Sequence, residues 1–317
     1  MASAPGGMSY FTPGQSLRWG RCHFSVNPPP GGEWDFWIVF GNALPNECAR
    51  VAPGNTLFIA GEPPQKKVYP LGYYRQFAHV IDTHSGSRHP GLIEDALGLC
   101  WMVGLSWSDL SYKFGYDYLK GFDCPEKINK VSVICSNTSK TKGQRLRLRF
   151  LESLKAKMGE RMVHFGKGFT PIEDKMDGIA PYRFNLVLEN SQSPHYWTEK
   201  LTDAYLGWSF PFYVGCPNLE AYFDRASYCA LDMEDVDGAV RLMNSFLEAQ
   251  PSSSEQAAIH DAREQVMDKY NPFARFSQWV DRFYTDAPRE SVTIQSEKAF
   301  RPLRGLYYRW QHRSDDR

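Results

Sequence analysis

Short apolar runs alternate with turns through the first third of the chain. They are CHFSV at 22–26, WDFWIVF at 34–40, NTLFIAG at 55–61 and HVIDTH at 79–84. Runs of this length, bounded by turn residues, predict buried strands. Proline and glycine in the intervening NPPPGG and EPPQKK block both helices and sheet ladders, so we expect loops after these strands. In α/β domains such loops often carry function.

From residue 129 onward, strand patterns alternate with helix patterns. NKVSVICSN, MVHFG, RFNLVLEN and FPFYVG predict strands, whereas TEKLTDAYLGWS predicts a helix with Leu201, Ala204 and Tyr205 on one face. Further helices are predicted at about 235–248, 254–270 and 272–284. A βαβ alternation implies a parallel sheet covered by helices, and two such halves predict an α/β protein with two Rossmann-like domains, 1–127 and 128–317.

The segment GQRLRLRFLESLKAKMG is ambiguous between strand and helix. Its arginines at 145, 147 and 149 alternate with apolar residues at strand period, but Leu146, Phe150, Leu154 and Met158 recur at helical spacing. We assign a helix because the segment is long for a strand.

Charge and composition narrow the class of partner. The 317 residues include 36 Lys+Arg and 36 Asp+Glu, so no global field attracts nucleic acid or an anionic membrane. Seven scattered cysteines without a C-x-x-C pair argue against a disulfide framework or a zinc site. No run approaches the ~18–20 apolar residues of a membrane span, and no secretion signal is recognisable. We therefore expect a cytoplasmic protein without an integral membrane segment, either free or peripheral to the inner face of the membrane.

Several catalytic motifs are missing or have a simpler interpretation. Neither G-x-G-x-x-G nor a P-loop occurs, which excludes the common dinucleotide and Walker-type sites. His79, His84 and His89 lack metalloprotease spacing, so we interpret them as loop or surface residues. Asp235 and Asp237 resemble the D-x-D of metal-dependent glycosyltransferases, but they precede a helical pattern, where acidic residues favour a helix N-terminus. We expect no bound metal.

The start of the predicted helix at TEKLTDAY could bind an anion. A helix N-terminus offers unpaired N–H groups and positive potential, and Lys200 adds a full charge to the same place. In the simpler alternative, Thr198 only caps the helix, Glu199 favours its dipole and Lys200 is solvated. The residues alone leave both interpretations open.

The segment 182–218, YRFNLVLENSQSPHYWTEKLTDAYLGWSFPFYVGCPN, resembles glycosyltransferase family 10, the α-1,3/4-fucosyltransferases. The family's donor motif reads approximately Y-K-F-x-L-x-F-E-N-S/T, then Y-x-T-E-K-x-x-D-A-[YF] and P-[IV]-Y-x-G-x-P-N. The spacing is preserved, with Leu188 replacing the usual Phe and Cys216 at a variable position. The likeness covers 129–224 well and 1–128 only in layout.

The resemblance implies a set of site residues. Glu62, in the Gly-Glu turn after NTLFIAG, corresponds to the proposed general base. An Arg-x-x-Phe pair placed on Arg147 and Phe150 implies that Arg147 reaches the donor diphosphate; Arg145 and Arg149 are rival registers, and all three could instead line an exposed helix face. The other implied donor-binding residues are Ser136, Asn137, Asn190, Tyr196, Glu199 and Lys200.

The resemblance also implies a fold and a reaction. The fold is GT-B, in which two Rossmann-like domains face a central cleft. The reaction is inverting transfer of L-fucose from GDP-fucose to a hydroxyl of an oligosaccharide or lipid-linked glycan, such as a lipopolysaccharide or protein glycan, without a required cofactor or metal. The alternatives are a GT-B transferase that uses another GDP-sugar and a catalytically inactive module that binds nucleotide-sugars or glycans.

Overall fold

The computed structural model describes residues 7–45, 47–84, 86, 88–139 and 142–301. They divide into two compact units. The first unit comprises Trp19–Gly98 and the described residues from Arg275 on, and the second comprises residues 7–18 and Leu99–Ala274.

The helices and strands have the following bounds. The strands are β1 (Arg18–Trp19), β2 (Cys22–His23), β3 (Trp37–Phe40), β4 (Glu47–Val51), β5 (Thr56–Ile59), β6 (His79–Asp82), β7 (Leu92–Glu94), β8 (Ile128–Ile134), β9 (Met162–Phe165), β10 (Tyr182–Leu188), β11 (Phe210–Val214), β12 (Cys229–Ala230) and β13 (Glu290–Ile294). The α-helices are α1 (Leu71–Tyr74), α2 (Tyr116–Lys120), α3 (Lys142–Met158), α4 (Lys175–Ile179), α5 (Glu199–Leu206), α6 (Val236–Glu248), α7 (Ser253–Asp268) and α8 (Pro272–Phe283). Short 3-10 helices lie at Met8–Phe11, Pro13–Gln15, Pro53–Asn55, Gly159–Arg161, Leu219–Ala221, Arg225–Ser227 and Glu297–Phe300.

The first unit is built on a four-stranded parallel sheet in the order β3-β5-β6-β7. Strand β5 is apolar on both faces because it is central and covered on both sides, and Leu57, Phe58 and Ile59 have no exposed surface. The ring of Phe58 packs against the aromatic rings of the α1 region, including Tyr73 and Tyr74. Strands β4 and β13 form a separate antiparallel pair.

The second unit is built on a five-stranded parallel sheet in the order β12-β11-β10-β8-β9. Along β10, Phe184, Leu186 and Leu188 belong to one apolar core together with side chains of α3 and α6. Side chains alternate across a strand, so Asn185 and Val187 face the opposite side of the sheet. Helices α4 and α5 pack on the sheet through β8, β10 and β11.

Most elements predicted from the apolar pattern are confirmed. The ambiguous arginine-rich segment is helix α3, whose Phe150, Leu151 and Leu154 are buried. The strand predicted at 22–26 is wrong beyond β2, because the run is solvated and Val26 is 40% exposed. Strands β4 and β13 were not predicted from the sequence. They form because they pair with each other, although they lie far apart along the chain.

The residues of the two compact units differ from those of the two predicted domains, 1–127 and 128–317. Residues from Arg275 on belong to the first unit because β13 pairs with β4. Residues 7–18 and 99–127 belong to the second unit, where the Phe11 ring packs 4.4 Å from that of Trp101. Two α/β units with parallel sheets confirm the predicted fold class, whereas the facing cleft stays a prediction.

No helix in the described part of the chain is both long enough and apolar enough to cross a membrane.

Candidate functional site

Polar residues collect where the strands of the second sheet end. Asn137 follows β8, Glu189 and Asn190 follow β10, and Asn218 follows β11. Because these strands are parallel neighbours, their carboxyl ends lie at the same edge of the sheet. This edge is where ligands bind in open α/β sheets.

Glu189 is a buried carboxylate tied to the start of α5. Its oxygens accept hydrogen bonds from the Thr198 backbone N–H at 2.8 Å and from the Thr198 hydroxyl at 2.7 and 3.0 Å. Burial raises the pKa of Glu189, and the nearby Lys200 ammonium opposes that shift. These hydrogen bonds connect the end of β10 to the start of α5.

Thr198 is the N-cap of α5, since its hydroxyl accepts from the Lys200 backbone N–H. The apolar face predicted for this helix is confirmed, because Leu201, Ala204 and Tyr205 have no exposed surface. The capping alternative is thus correct for Thr198.

The alternative of a solvated Lys200 is wrong. Its ammonium lies 3.3 Å from Glu189 Oε2, 2.9 Å from Thr198 Oγ1 and 3.2 Å from Glu199 Oε1, and the side chain is only 20% exposed. Burial alone would lower the pKa of Lys200, but the two carboxylates outweigh it and raise that pKa. An ammonium has three N–H donors, so these contacts engage all of them.

Glu199 lies between two ammonium groups. Lys175 Nζ is 3.8 Å from the same Oε1 that Lys200 contacts. Burial would raise the pKa of Glu199, but Lys200 and Lys175 lower it to about 2. Glu199 is therefore an ionised acceptor with 21% of its side chain exposed.

Arg147 is the inward-facing arginine of α3. It is buried, and its NH1 group donates to Asn190 Oδ1 at 2.7 Å. Its Nε has no hydrogen-bond partner among the described residues. Arg145 and Arg149 are exposed, so the interpretation that all three arginines line an exposed face is wrong.

The remaining predicted donor-binding residues surround this edge. The Ser136 hydroxyl contacts Thr138 Oγ1 at 3.1 Å, and the Asn137 backbone N–H donates to Lys167 O at 3.0 Å. Tyr196 is buried and follows His195, which adopts a left-handed φ of 62°. Backbone strain of this kind concentrates at functional loops.

Glu62 lies in the first unit, in the turn after β5. Its carboxylate accepts a hydrogen bond from Lys66 Nζ at 2.5 Å, and one third of the side chain is exposed. The predicted location at the carboxyl end of a buried strand is confirmed, while the catalytic role stays a prediction.

For Asp235, helix capping explains the acidic residue better than a metal-binding D-x-D motif. The Asp235 carboxylate accepts from the Gly238 N–H at 2.8 Å at the start of α6, and Asp237 pairs with Lys157. His79 stacks on Phe283 with ring centroids 4.0 Å apart. Within the described ranges, no group of three or more His, Cys, Asp or Glu side chains could hold a metal ion.

Three charged residues of the site were not predicted from the sequence: Lys175, Glu189 and Asp203. Lys175, the first residue of α4, pairs with Asp203 at 2.8 Å as well as approaching Glu199. No spacing rule pointed to Lys175, because it is 24 residues from Glu199 along the chain. Glu189 and Asp203 belonged to the quoted motif without an assigned role.

The segment that contains these residues resembles a known protein family. The family model "Glycosyltransferase family 10 (fucosyltransferase) C-term" matches residues 124–266. The match covers less than half of the chain and confirms the predicted resemblance to glycosyltransferase family 10 over this segment.

Two curated proteins are similar to part of this chain. Alpha-(1,3)-fucosyltransferase FucT of Helicobacter pylori is 32% identical over 91 residues, which are 28% of this chain and 19% of that protein. A putative fucosyltransferase-like protein of Arabidopsis thaliana is 33% identical over 85 residues, 26% of this chain and 16% of that protein. The matched segments thus span less than a fifth of either relative.

Solved structures of α1,3-fucosyltransferase with GDP and with GDP-fucose superpose on this chain with TM-scores of 0.46 and 0.43 at 16% and 15% sequence identity. Each superposition covers 100% of this chain and 98% of the other.

Proposed function

We propose that this chain is an inverting fucosyltransferase that transfers L-fucose from GDP-fucose to a hydroxyl group of a glycan. The observation that carries the proposal is the charged cluster of Glu189, Glu199 and Lys200 at the carboxyl edge of the second sheet. This cluster lies inside the segment that matches the fucosyltransferase family model. A curated protein that is 32% identical to this chain over 91 residues is itself named a fucosyltransferase.

Arg147 is the best candidate to bind the donor diphosphate. A buried guanidinium with an unbonded Nε among the described residues has donor capacity for phosphate oxygens, which it can bind bidentately. The hydrogen bond to Asn190 holds its orientation. Lys200 adds charge at short range, and a direct bond to phosphate requires it to release one of its three partners.

Glu199 supplies a hydrogen-bond acceptor beside the positive charge of Lys200. Because its pKa is lowered to about 2, it is ionised at neutral pH and accepts hydrogen bonds from ribose or sugar hydroxyls. Tyr196 and Asn190 line the same donor pocket, with Ser136 and Asn137 at the neighbouring strand end.

The chemistry of transfer follows from these groups. Negative charge develops on the β-phosphate as GDP leaves, and fixed positive groups stabilise it without reorganisation, so a divalent metal is not essential. Glu62 takes the proton of the acceptor hydroxyl while that oxygen attacks the anomeric carbon opposite GDP. β-Linked GDP-fucose then yields an α-fucoside.

Two alternatives make different predictions. A transferase for another GDP-sugar would bind GDP equally well but transfer a different sugar. An inactive nucleotide-sugar or glycan-binding module would bind without turnover and would have no need of Glu62.

A ligand panel tests the proposal. Thermal unfolding is measured in EDTA with GDP, GDP-fucose, GDP-mannose and UDP, because a ligand at ~100 times its Kd adds ~2.7 kcal/mol of stability. We expect stabilisation by GDP and GDP-fucose and none by UDP, followed by fucose transfer to a glycan array. Equal stabilisation by UDP, or strict dependence on a divalent ion, contradicts the family-based donor assignment.

A further inference from the structure

A second buried ion pair lies beside the Glu199–Lys200 pair. Lys175 Nζ is 2.8 Å from Asp203 Oδ2, and the side chains are 13% and 1% exposed. Asp203 and Glu199 are four residues apart on α5, so both carboxylates lie on the same face of that helix. Lys175 contacts one and approaches the other at 3.8 Å.

The backbone that carries Lys175 is held firmly. Asp174 is the N-cap of α4, and its Oδ1 accepts from the Met176 N–H at 2.9 Å. The same oxygen accepts from the Gly104 N–H at 2.9 Å. Lys175 therefore extends from a fixed helix start.

Backbone N–H groups hold the carboxylate of Asp203 in place. Its Oδ1 accepts from the backbone N–H groups of Met102 and Val103 at 2.7 and 3.2 Å. One oxygen of this carboxylate is thus used by main-chain donors, and the other anchors Lys175.

We propose that Lys175 is a positioning residue for the donor: anchored by Asp203, it holds the Glu199 carboxylate where that group accepts the hydroxyls of the nucleotide-sugar. This inference rests on the proposed function. In this proposal Lys175 acts through Glu199 rather than by its own contact with the donor.

The charge arrangement explains why a second cation is needed. Lys200 is shared between Glu189 and Glu199, so one ammonium faces two carboxylates. Lys175 places a second cation near the same oxygen of Glu199, so two ammonium groups hold that carboxylate rather than Lys200 alone.

A double-mutant cycle on GDP binding tests the inference, with isothermal titration calorimetry as the assay. The four proteins are wild type, Lys175→Met, Glu199→Gln and the double variant, so Asp203 is present in all of them. Lys175→Met leaves Asp203 buried without a cation, so the same cycle with Lys175→Gln, whose amide can still donate to Asp203, replaces it if Lys175→Met does not fold. Circular dichroism confirms that each is folded.

We expect Lys175→Met to weaken GDP binding about tenfold when Glu199 is present and less than about twofold in the Glu199→Gln background, because contacting residues couple and independent ones do not. Lys175→Arg in the otherwise wild-type chain keeps the charge and should recover most of the affinity. Lys157→Met, which removes an exposed lysine of α3, is the matched control and should leave GDP binding unchanged.

The outcomes separate the two claims. If the wild-type chain binds no GDP, the proposed function fails, and this inference fails with it. If wild type binds GDP but Lys175→Met costs the same affinity with and without Glu199, Lys175 has only a structural role and the inference alone is overturned.

Discussion

Replacing Lys200 with methionine should destabilise the second unit in a pH-dependent way. Lys200 lies 3.3 Å from the fully buried carboxylate of Glu189, a separation at which the attraction is ~5 kcal/mol for an effective dielectric constant of ~20. Desolvation offsets part of this, and removing one partner of a buried pair typically costs ~3–5 kcal/mol. We expect a loss of ~3 kcal/mol in the free energy of unfolding at about pH 8.

The pH dependence follows from Glu189. Burial already raises its folded-state pKa above the ordinary value of 4.5, and loss of the Lys200 ammonium raises it further. A raised folded pKa stabilises the fold below the unfolded pKa, and that stabilisation is lost as pH rises through the folded pKa. The deficit of the variant should therefore be smallest near pH 5 and grow toward pH 8, by no more than ~1.4 kcal/mol per pH unit.

Guanidinium unfolding followed by tryptophan fluorescence, at several pH values, measures this deficit. Adding Glu189→Gln to the variant removes the unpaired charge and should abolish the pH slope. Lys157→Met is the matched control, because its pair with Asp237 is exposed and its loss should change the free energy of unfolding little. A Lys200→Met protein as stable as wild type, or a deficit independent of pH, would refute the electrostatic reasoning.

Two further substitutions test the proposed donor and catalytic residues. Arg147→Ala should weaken GDP binding by ~10–150-fold in calorimetry, the usual value of hydrogen bonds to a charged ligand, whereas the exposed Arg145→Ala and Arg149→Ala should change it little. A comparable loss from either of those two would move the diphosphate contact to another register. Glu62→Gln should slow transfer by ~10²–10⁴-fold with the Kd for GDP unchanged, because an amide cannot accept the acceptor's proton. A wild-type transfer rate in this variant would exclude Glu62 as the base.

The local sequence determined the second unit to a large extent. Its strands are mostly apolar runs, such as 131–134 and 184–188, in which Ser132 and Asn185 are the only polar residues. This pattern is typical of a parallel sheet that is covered on both faces, because neither face of the sheet meets solvent. Helix α5 could likewise be predicted from the sequence, since Thr198 is a local cap and Leu201 and Ala204 mark its buried face. The family motif itself is contiguous, so its residues were found without a structure.

Tertiary structure alone decided how the charges pair. The local sequence of Lys200 is also compatible with a solvated surface lysine, but the packing of α5 against β10 brings the buried Glu189 within 3.3 Å of it. The choice of Arg147 over its neighbours depends on which face of α3 meets the sheet. Lys175 reaches Glu199 only because α4 and α5 pack together, and the pairing of β4 with β13 joins segments some 240 residues apart. Such contacts depend on long-range packing, which the periodicity of a single segment does not encode.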